Sequence, residues 1–116
     1  MPESFERGAL TEATFLILIS LLQPRHGYGV MQCVAAATKN RVGLGAGTLY
    51  GAINLLLGKK WIAEAGGEER KKLYVTTPEG KRAVVNEMYR LRELLEIGGE
   101  SLSASEAADS IETGRN

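Results

Sequence analysis

Histidine and cysteine are nearly absent from this chain: His26 and Cys33 are the only ones among 116 residues. One cysteine excludes an internal disulfide, and its apolar-periodic surroundings suit a buried, reduced thiol. One histidine and one cysteine are too few ligands for a useful metal site, so neither a metal nor a cofactor is expected. No serine or carboxylate constellation suggests a triad, and His26 reads as structural, packing or capping at a helix start. Enzyme chemistry has almost nothing to stand on. Long apolar runs are missing as well. The longest, Phe15 to Ile19, falls far short of the roughly 20 residues that span a bilayer. The opening MPESFERG is charged and has no apolar leader, which points to a cytoplasmic protein without a membrane partner. Net charge is also lacking, at zero, although a strongly basic balance is the usual footprint of nucleic-acid binding.

The charge that is present is unevenly placed. Between Lys39 and Arg82 nine basic residues face four acidic ones, a local +5. From Ala83 onward three basic residues face seven acidic ones, a local −4, and the first 38 residues carry −1. Such polarity speaks to partners rather than to fold. The length suits one compact domain.

The positive middle surrounds the stretch GAGTLYGAINLLLGKK, from Gly45 to Lys60. Leu49, Ile53, Leu56 and Leu57 recur at helical spacing and form one apolar stripe. Gly47, Tyr50, Gly51, Asn54 and Gly58 form the opposite face. Each glycine inside a helix costs roughly 1 kcal/mol relative to alanine. A face carrying three of them makes sense if something large approaches the backbone, and a DNA major groove fits. Thr48, Tyr50 and Asn54 would then supply hydroxyl and amide groups. The competing reading is a surface helix that merely tolerates glycine.

Upstream, Leu10 to Leu22 is apolar on nearly every side and reads as a helix, capped by Thr11 or starting earlier near Glu6 and ended by Pro24. It is either a central core helix or one covered by a partner subunit. Arg25 to Gly29 is a turn, and a second helix follows to about Thr38, with Met31, Val34, Ala35 and Thr38 inward. Val42 and Leu44 alternate with Arg41 and Gly43, consistent with a very short strand. Two helices, a short connection and a third helix with a polar outer face is helix-turn-helix grammar.

Downstream, the period changes. Leu73 and Val75 point one way, Tyr74 and Thr76 the other, and Ile62 to Ala65 can pair with them across a Gly66-Gly67 turn. Arg70, Lys71 and Lys72 then lie near the tip of a hairpin. After a helix-turn-helix such a hairpin reads as a wing that grips phosphates. Thr77-Pro78-Glu79 starts another helix, expected to run to about Ile97. Its Val84, Met88, Leu91 and Leu95 follow the 4-3-4 spacing of a coiled-coil seam, widened by Val85 and Leu94. With Phe15 from the first helix, that seam is the expected dimer interface.

Three blocks resemble one known family, the PadR-like transcriptional regulators: LTEATFLILISLLQPRHGYGVMQ, LGAGTLYGAINLL and RKKLYVTTPEGKRA. The resemblance they carry covers roughly residues 10 to 95, most of the chain. The resemblance implies a mainly α fold with a small β-hairpin, a winged helix-turn-helix plus a C-terminal dimerisation helix. It implies a homodimeric DNA-binding repressor of the smaller branch, some of whose members sense drugs while other relatives answer to phenolic acids. Residues 1–76 would be the DNA-binding domain, 77–98 the dimerisation helix and 99–116 a disordered acidic tail.

By that likeness Gly47, Thr48 and Tyr50 would lie against DNA, with Gly51 and Asn54 on the same face, and Arg70, Lys71 and Lys72 would form the wing. The partners would be an inverted-repeat operator and a second copy of the chain. Any small hydrophobic or phenolic effector would sit between subunits near Phe15, Met88, Tyr89 and Leu91. The chain departs from the family pattern at Asn54, where a basic residue is frequent, at Lys60 and Trp61, where glycine and leucine are common, and at Leu73, where the wing usually has an aromatic. Leu91 stands where drug-sensing members carry an aromatic. The alternative reading is a winged-helix protein-interaction module without DNA binding.

Overall fold

The computed structural model describes residues 8–112. In chain order the elements are α1 (Glu12–Ser20), α2 (Gly27–Ala37), α3 (Ala46–Gly58), β1 (Ile62–Glu68), β2 (Lys71–Thr76) and α4 (Pro78–Glu112). Eleven buried apolar side chains make the core. Ile17, Leu18 and Leu21 come from α1 and its end, Val30 and Val34 from α2, Leu49, Ile53 and Leu56 from α3, Ile62 and Tyr74 from the hairpin and Val84 from α4. Burying one Leu or Ile side chain stabilises by about 1.5–3 kcal/mol, so the loss of any one is felt against a total of roughly 5–15 kcal/mol.

Local chemistry sets the helix ends. The Thr11 hydroxyl accepts from the Thr14 N–H at 3.0 Å and caps α1; an earlier start near Glu6 lies outside the described residues. The last carbonyls of a helix lack regular i+4 partners, although Leu18 also accepts from the Leu21 N–H at 3.2 Å. Thr76 fills two of those places, donating from Oγ1 to Leu18 at 2.8 Å and from its N–H to Leu21 at 2.7 Å. The Arg25 Nε donates to Ser20 at 2.8 Å. These bonds pin β2 beneath α1. Arg25 also exchanges both backbone hydrogen bonds with Tyr74, at 3.1 and 2.9 Å. The segment before α2 therefore adds one rung beside β2, a pairing that local periodicity did not reveal. Residues 42–44, expected as a short strand, are irregular.

The hairpin turns three residues later than expected. Glu64 pairs with Tyr74 and Gly67 with Lys72, so Ala65 and Gly66 together oppose Leu73 in a β-bulge. Gly66 and Gly67 have φ of +107° and +95°, the region that glycine enters without strain. A Cβ on Gly67 would also lie 2.3 Å from the Lys71 carbonyl. The pair thus bends a longer wing, and the turn falls at Glu69-Arg70.

The Thr77 hydroxyl accepts from the Gly80 N–H at 3.1 Å and donates to the Lys60 carbonyl at 2.8 Å, fastening the start of α4 to the end of α3. The helix does not stop at Ile97. It continues through Gly98 and Gly99 to Glu112, 35 residues in all. The disordered tail expected from residue 99 is thus corrected as far as Glu112, and residues 113–116 lie outside the described part. Two glycines cost about 2 kcal/mol in a helix, yet no proline interrupts the alanine- and glutamate-containing run that follows. At about 1.5 Å per residue α4 is roughly 50 Å long, and the molecule measures 69 × 37 × 21 Å. No helix among the described residues is long and apolar enough to cross a membrane.

Candidate nucleic-acid interface

Helix α3 sorts its residues as its periodicity demands. Leu49, Ile53 and Leu56 are buried and Leu57 half-buried, while Gly47, Thr48, Tyr50, Gly51 and Asn54 are exposed on the other side. A Cβ on Gly47, Gly51 or Gly58 would meet nothing within 4 Å. No packing among the described residues therefore calls for glycine at these positions, although each weakens the helix. The result is a low, smooth ridge carrying one hydroxyl and one amide. Its first residues follow Gly45, which offers no side-chain cap.

Tyr50 is 45% exposed but does not project freely. Its ring lies across Gly27 at the start of α2, where a Cβ would come 2.2 Å from the Tyr50 hydroxyl and 2.6 Å from Cζ. The His26 ring caps that same end of α2, Nδ1 accepting from the Gly29 N–H at 3.3 Å. A cleft of about 600 Å³ opens here, walled by His26, Gly27, Tyr28, Tyr50 and Tyr74 on one side and Glu69, Arg70, Lys71 and Lys72 on the other. The structure thus joins Tyr50 to the wing cations in one cleft, with Thr48 and Asn54 on the exposed face of the same helix. It adds Tyr28, 60% exposed, which sequence reasoning passed over as part of a turn; the HGYG block that contains it was the available signal.

The wing is less positive than its basic triplet suggests. Glu64, Glu68 and Glu69 share the hairpin with Arg70, Lys71 and Lys72. The Lys72 ammonium lies 3.5 Å from Glu64 across the strands, and Glu68 pairs in register with Lys71. Arg41, another of the central cations, makes a bidentate ion pair with Glu12. That pairing raises the Arg41 pKa and lowers that of Glu12. Lys59 sits 4.9 Å from the centre of the Trp61 ring. Arg70 lies at the turn, outside the strand register, and Lys72 stands opposite Gly67.

The residues expected at a dimer seam divide into two groups. Val84 is only 7% exposed and belongs to the core of its own domain, and Phe15 is half-buried against that core. Met88, Leu91 and Leu95 remain exposed, Leu95 at 77%, as does Tyr89, expected beside an effector. Every side chain from Leu91 to Asp109 is exposed, and Val85, Leu94, Ile97 and Leu102 extend the apolar surface. Between the two groups lies Glu87, 5% exposed. Its carboxylate accepts from Arg90 Nη2 at 2.5 Å and Nε at 3.0 Å, and from the Leu10 N–H at 3.2 Å. The Arg90 hydrogen bonds lower the Glu87 pKa, burial opposes them, and the Leu10 bond adds to the lowering. Sequence reading missed Glu87, because a glutamate inside a helix normally faces water. Among the described residues no group of three or more His, Cys, Asp or Glu is placed to hold a metal ion.

Comparison with known proteins supplies the remaining observations. The model of the transcriptional regulator PadR-like family matches residues 15–86. Among solved structures, a transcriptional regulator from Clostridium thermocellum superimposes with a TM-score of 0.66 at 18% identity, covering 84% of this chain and 96% of its own. RosR of H. salinarum gives 0.63 at 23% identity, with 86% and 96% covered. A PadR family transcriptional regulator from Eggerthella lenta gives 0.63 at 25% identity, with 77% and 80% covered. No curated protein matches the chain.

Proposed function

Since this chain belongs to the PadR-like family of transcriptional regulators, we propose that it is a cytoplasmic, homodimeric repressor that binds a specific double-stranded DNA operator. The observation that carries this reading is the exposed face of α3, where three helical glycines have no neighbour in their own chain. In a dimer two copies of α3 enter successive major grooves about one helical turn apart, so the operator is an inverted repeat. Gly47 and Gly51 let the backbone approach the groove floor. Thr48 and Asn54 reach base edges. No arginine or lysine stands between Ala46 and Gly58, the side chains that usually read guanine. Asparagine pairs with adenine and a threonine methyl packs on thymine, so α3 reads A·T pairs at the centre of each half-site.

The wing contributes grip. Arg70, Lys71 and Lys72 neutralise phosphates and carry little sequence information. Residues 77–98 form the dimerisation segment, with Met88, Leu91 and Leu95 in the seam and Phe15 and Val84 packed behind it. An effector space between subunits beside Phe15, Met88, Tyr89 and Leu91 would be apolar with one phenol hydroxyl, which suits a hydrophobic or phenolic effector whose binding releases the operator.

A gel shift with the upstream region of the chain's own gene tests the reading. Selection from a random duplex library should return an inverted repeat with A·T-rich half-sites. The rival is a winged-helix module that binds protein, and the observation favouring it is the charge balance of the wing, where Glu64 holds Lys72. Failure to bind any duplex at low salt would put that rival ahead.

A further inference from the structure

We infer that Tyr50 is a positioning residue, a brace that sets the angle of α3 against α2, and that the missing side chain of Gly27 is what seats it. The inference rests on the DNA reading above and deepens it. Gly27 is the first residue of α2 and is buried. Three atoms of the Tyr50 side chain crowd the place where its Cβ would stand: the hydroxyl at 2.2 Å, Cζ at 2.6 Å and Cε1 at 3.1 Å. Real side chains do not approach so closely, so any residue but glycine must push the ring away. The conformation at Gly27 is ordinary for a helix, because its φ is not in the left-handed region. Glycine is therefore required there by space and not by backbone geometry.

The contact joins three parts of the interface. Tyr50 rises from the first turns of α3, its ring rests on the first turn of α2, and both line the cleft faced by Arg70, Lys71 and Lys72. A displaced ring enters that cleft or swings to solvent, and in either case α3 loses its stop. The Tyr50 residue is 45% exposed and the crowded atoms are the far end of its side chain, so a methyl group at residue 27 moves the ring without unfolding the domain. Docking suffers while the core stays intact. Small misplacements of a docked element are costly because its contacts are short-ranged.

The test is a cycle of Gly27→Ala, Tyr50→Ala and the double variant, measured on the selected operator duplex, with Tyr50→Phe as the conservative control. Gly27→Ala should weaken operator binding by about tenfold or more, with helix content and dimeric state unchanged. In the Tyr50→Ala background the same change should have no further effect, since no ring remains to be displaced. Tyr50→Phe keeps the ring and should stay nearer to wild type than Tyr50→Ala. Wild-type binding by Gly27→Ala, or an equal loss in both backgrounds, overturns the brace and leaves the DNA reading standing. A second measurement needs no DNA: an NMR contact between the Gly27 α-protons and the Tyr50 ring, lost in Gly27→Ala. Its absence in the wild type overturns the brace directly. A wild type that binds no duplex overturns the DNA reading and the docking role together, and the NMR contact then decides whether the brace itself exists.

Discussion

Two helix faces of this molecule stand in solvent, one on α3 and one on the outer part of α4, and they are chemically opposite. The α3 face is glycine, one threonine, one asparagine and a tyrosine held flat against Gly27. The α4 face presents Met88, Leu91, Leu94, Leu95, Ile97 and Leu102. Neither makes sense for an isolated chain. Glycines cost helix stability and find nothing to fit inside their own domain. Exposed leucines leave out of use the largest favourable term in folding. Folded compactly, a chain of this size has a radius of gyration of about 13–14 Å, whereas the observed value is 19.0 Å. From Leu91 to Asp109 every side chain of the helix is exposed, and an isolated helix of some 20 residues with two glycines is marginal in water. The contrast teaches that each face is shaped by what covers it. The smooth polar ridge suits a partner that brings its own charge and hydrogen-bonding edges. The apolar helix suits a second copy of itself.

The sharpest way to break the contrast is to charge the apolar face. If the proposed dimer exists, Leu95→Glu, or Leu91→Glu, should convert it to monomer and unwind the outer half of α4, since a carboxylate cannot be buried unpaired in a seam. Light scattering and circular dichroism check this, and operator affinity should collapse with the loss of the paired half-site. A stable wild-type monomer would refute the seam.

The complementary change fills the smooth face. Gly51→Leu should reduce operator affinity by about a hundredfold or more, on the order of 3 kcal/mol, while leaving the dimer intact. The same substitution should raise the melting temperature, because leucine improves helix propensity by roughly 1 kcal/mol over glycine. A variant both more stable and unable to bind separates the two faces cleanly. Unimpaired binding would remove α3 from the interface.

Lys71→Ala with Lys72→Ala should weaken specific and non-specific binding alike. The slope of log K against log salt should flatten by about one unit for each lost phosphate contact per subunit. Lys72 should account for less of the change than Lys71, because Glu64 already engages it.

Glu87 marks the boundary between the two halves of α4 and can be probed by pH. Its folded-state pKa lies below the ordinary 4.5. Its contribution is therefore fully present above about pH 4.5 and is lost as pH falls through the lower folded value. Glu87→Gln should cost about 1–3 kcal/mol near neutral pH, the scale of charge-assisted hydrogen bonds. The gap between wild type and variant should close on acidification, as read by denaturant melts across pH. A gap that widens in acid would contradict the sign. The smallest expected effect is that of Tyr50→Phe, which keeps the ring on Gly27 and removes one hydroxyl, about 1 kcal/mol of operator affinity at most.

Several local features match their local patterns, though the strand expected at 42–44 and the helix end expected near Ile97 do not. The stripe of Leu49, Ile53 and Leu56, the caps at Thr11 and Thr77 and the change of period after Trp61 all follow from spacing and from hydrogen bonds three or four residues apart. The candidate site rests on patterns of the same kind: the α3 face is a helical periodicity and the basic triplet is contiguous. Other features were decided elsewhere in the fold. Gly66-Gly67 can serve as a turn or as a bulge, and the choice went to the bulge once Thr76 bonded to the end of α1 and Tyr74 to Arg25, which fixed the register of β2. Val84 and Met88 share one heptad spacing, yet only Val84 lies within reach of its own core. Glu87 looks like any solvent-facing helical glutamate until Arg90 and the Leu10 N–H close over it. Tyr50 looks like a free phenol until Gly27 arrives beneath its ring. In each case the sequence by itself determined the element and its faces, because periodicity and capping act over one turn of helix. Only the tertiary structure decided which face met which neighbour, because those contacts join residues some 23 to 77 positions apart.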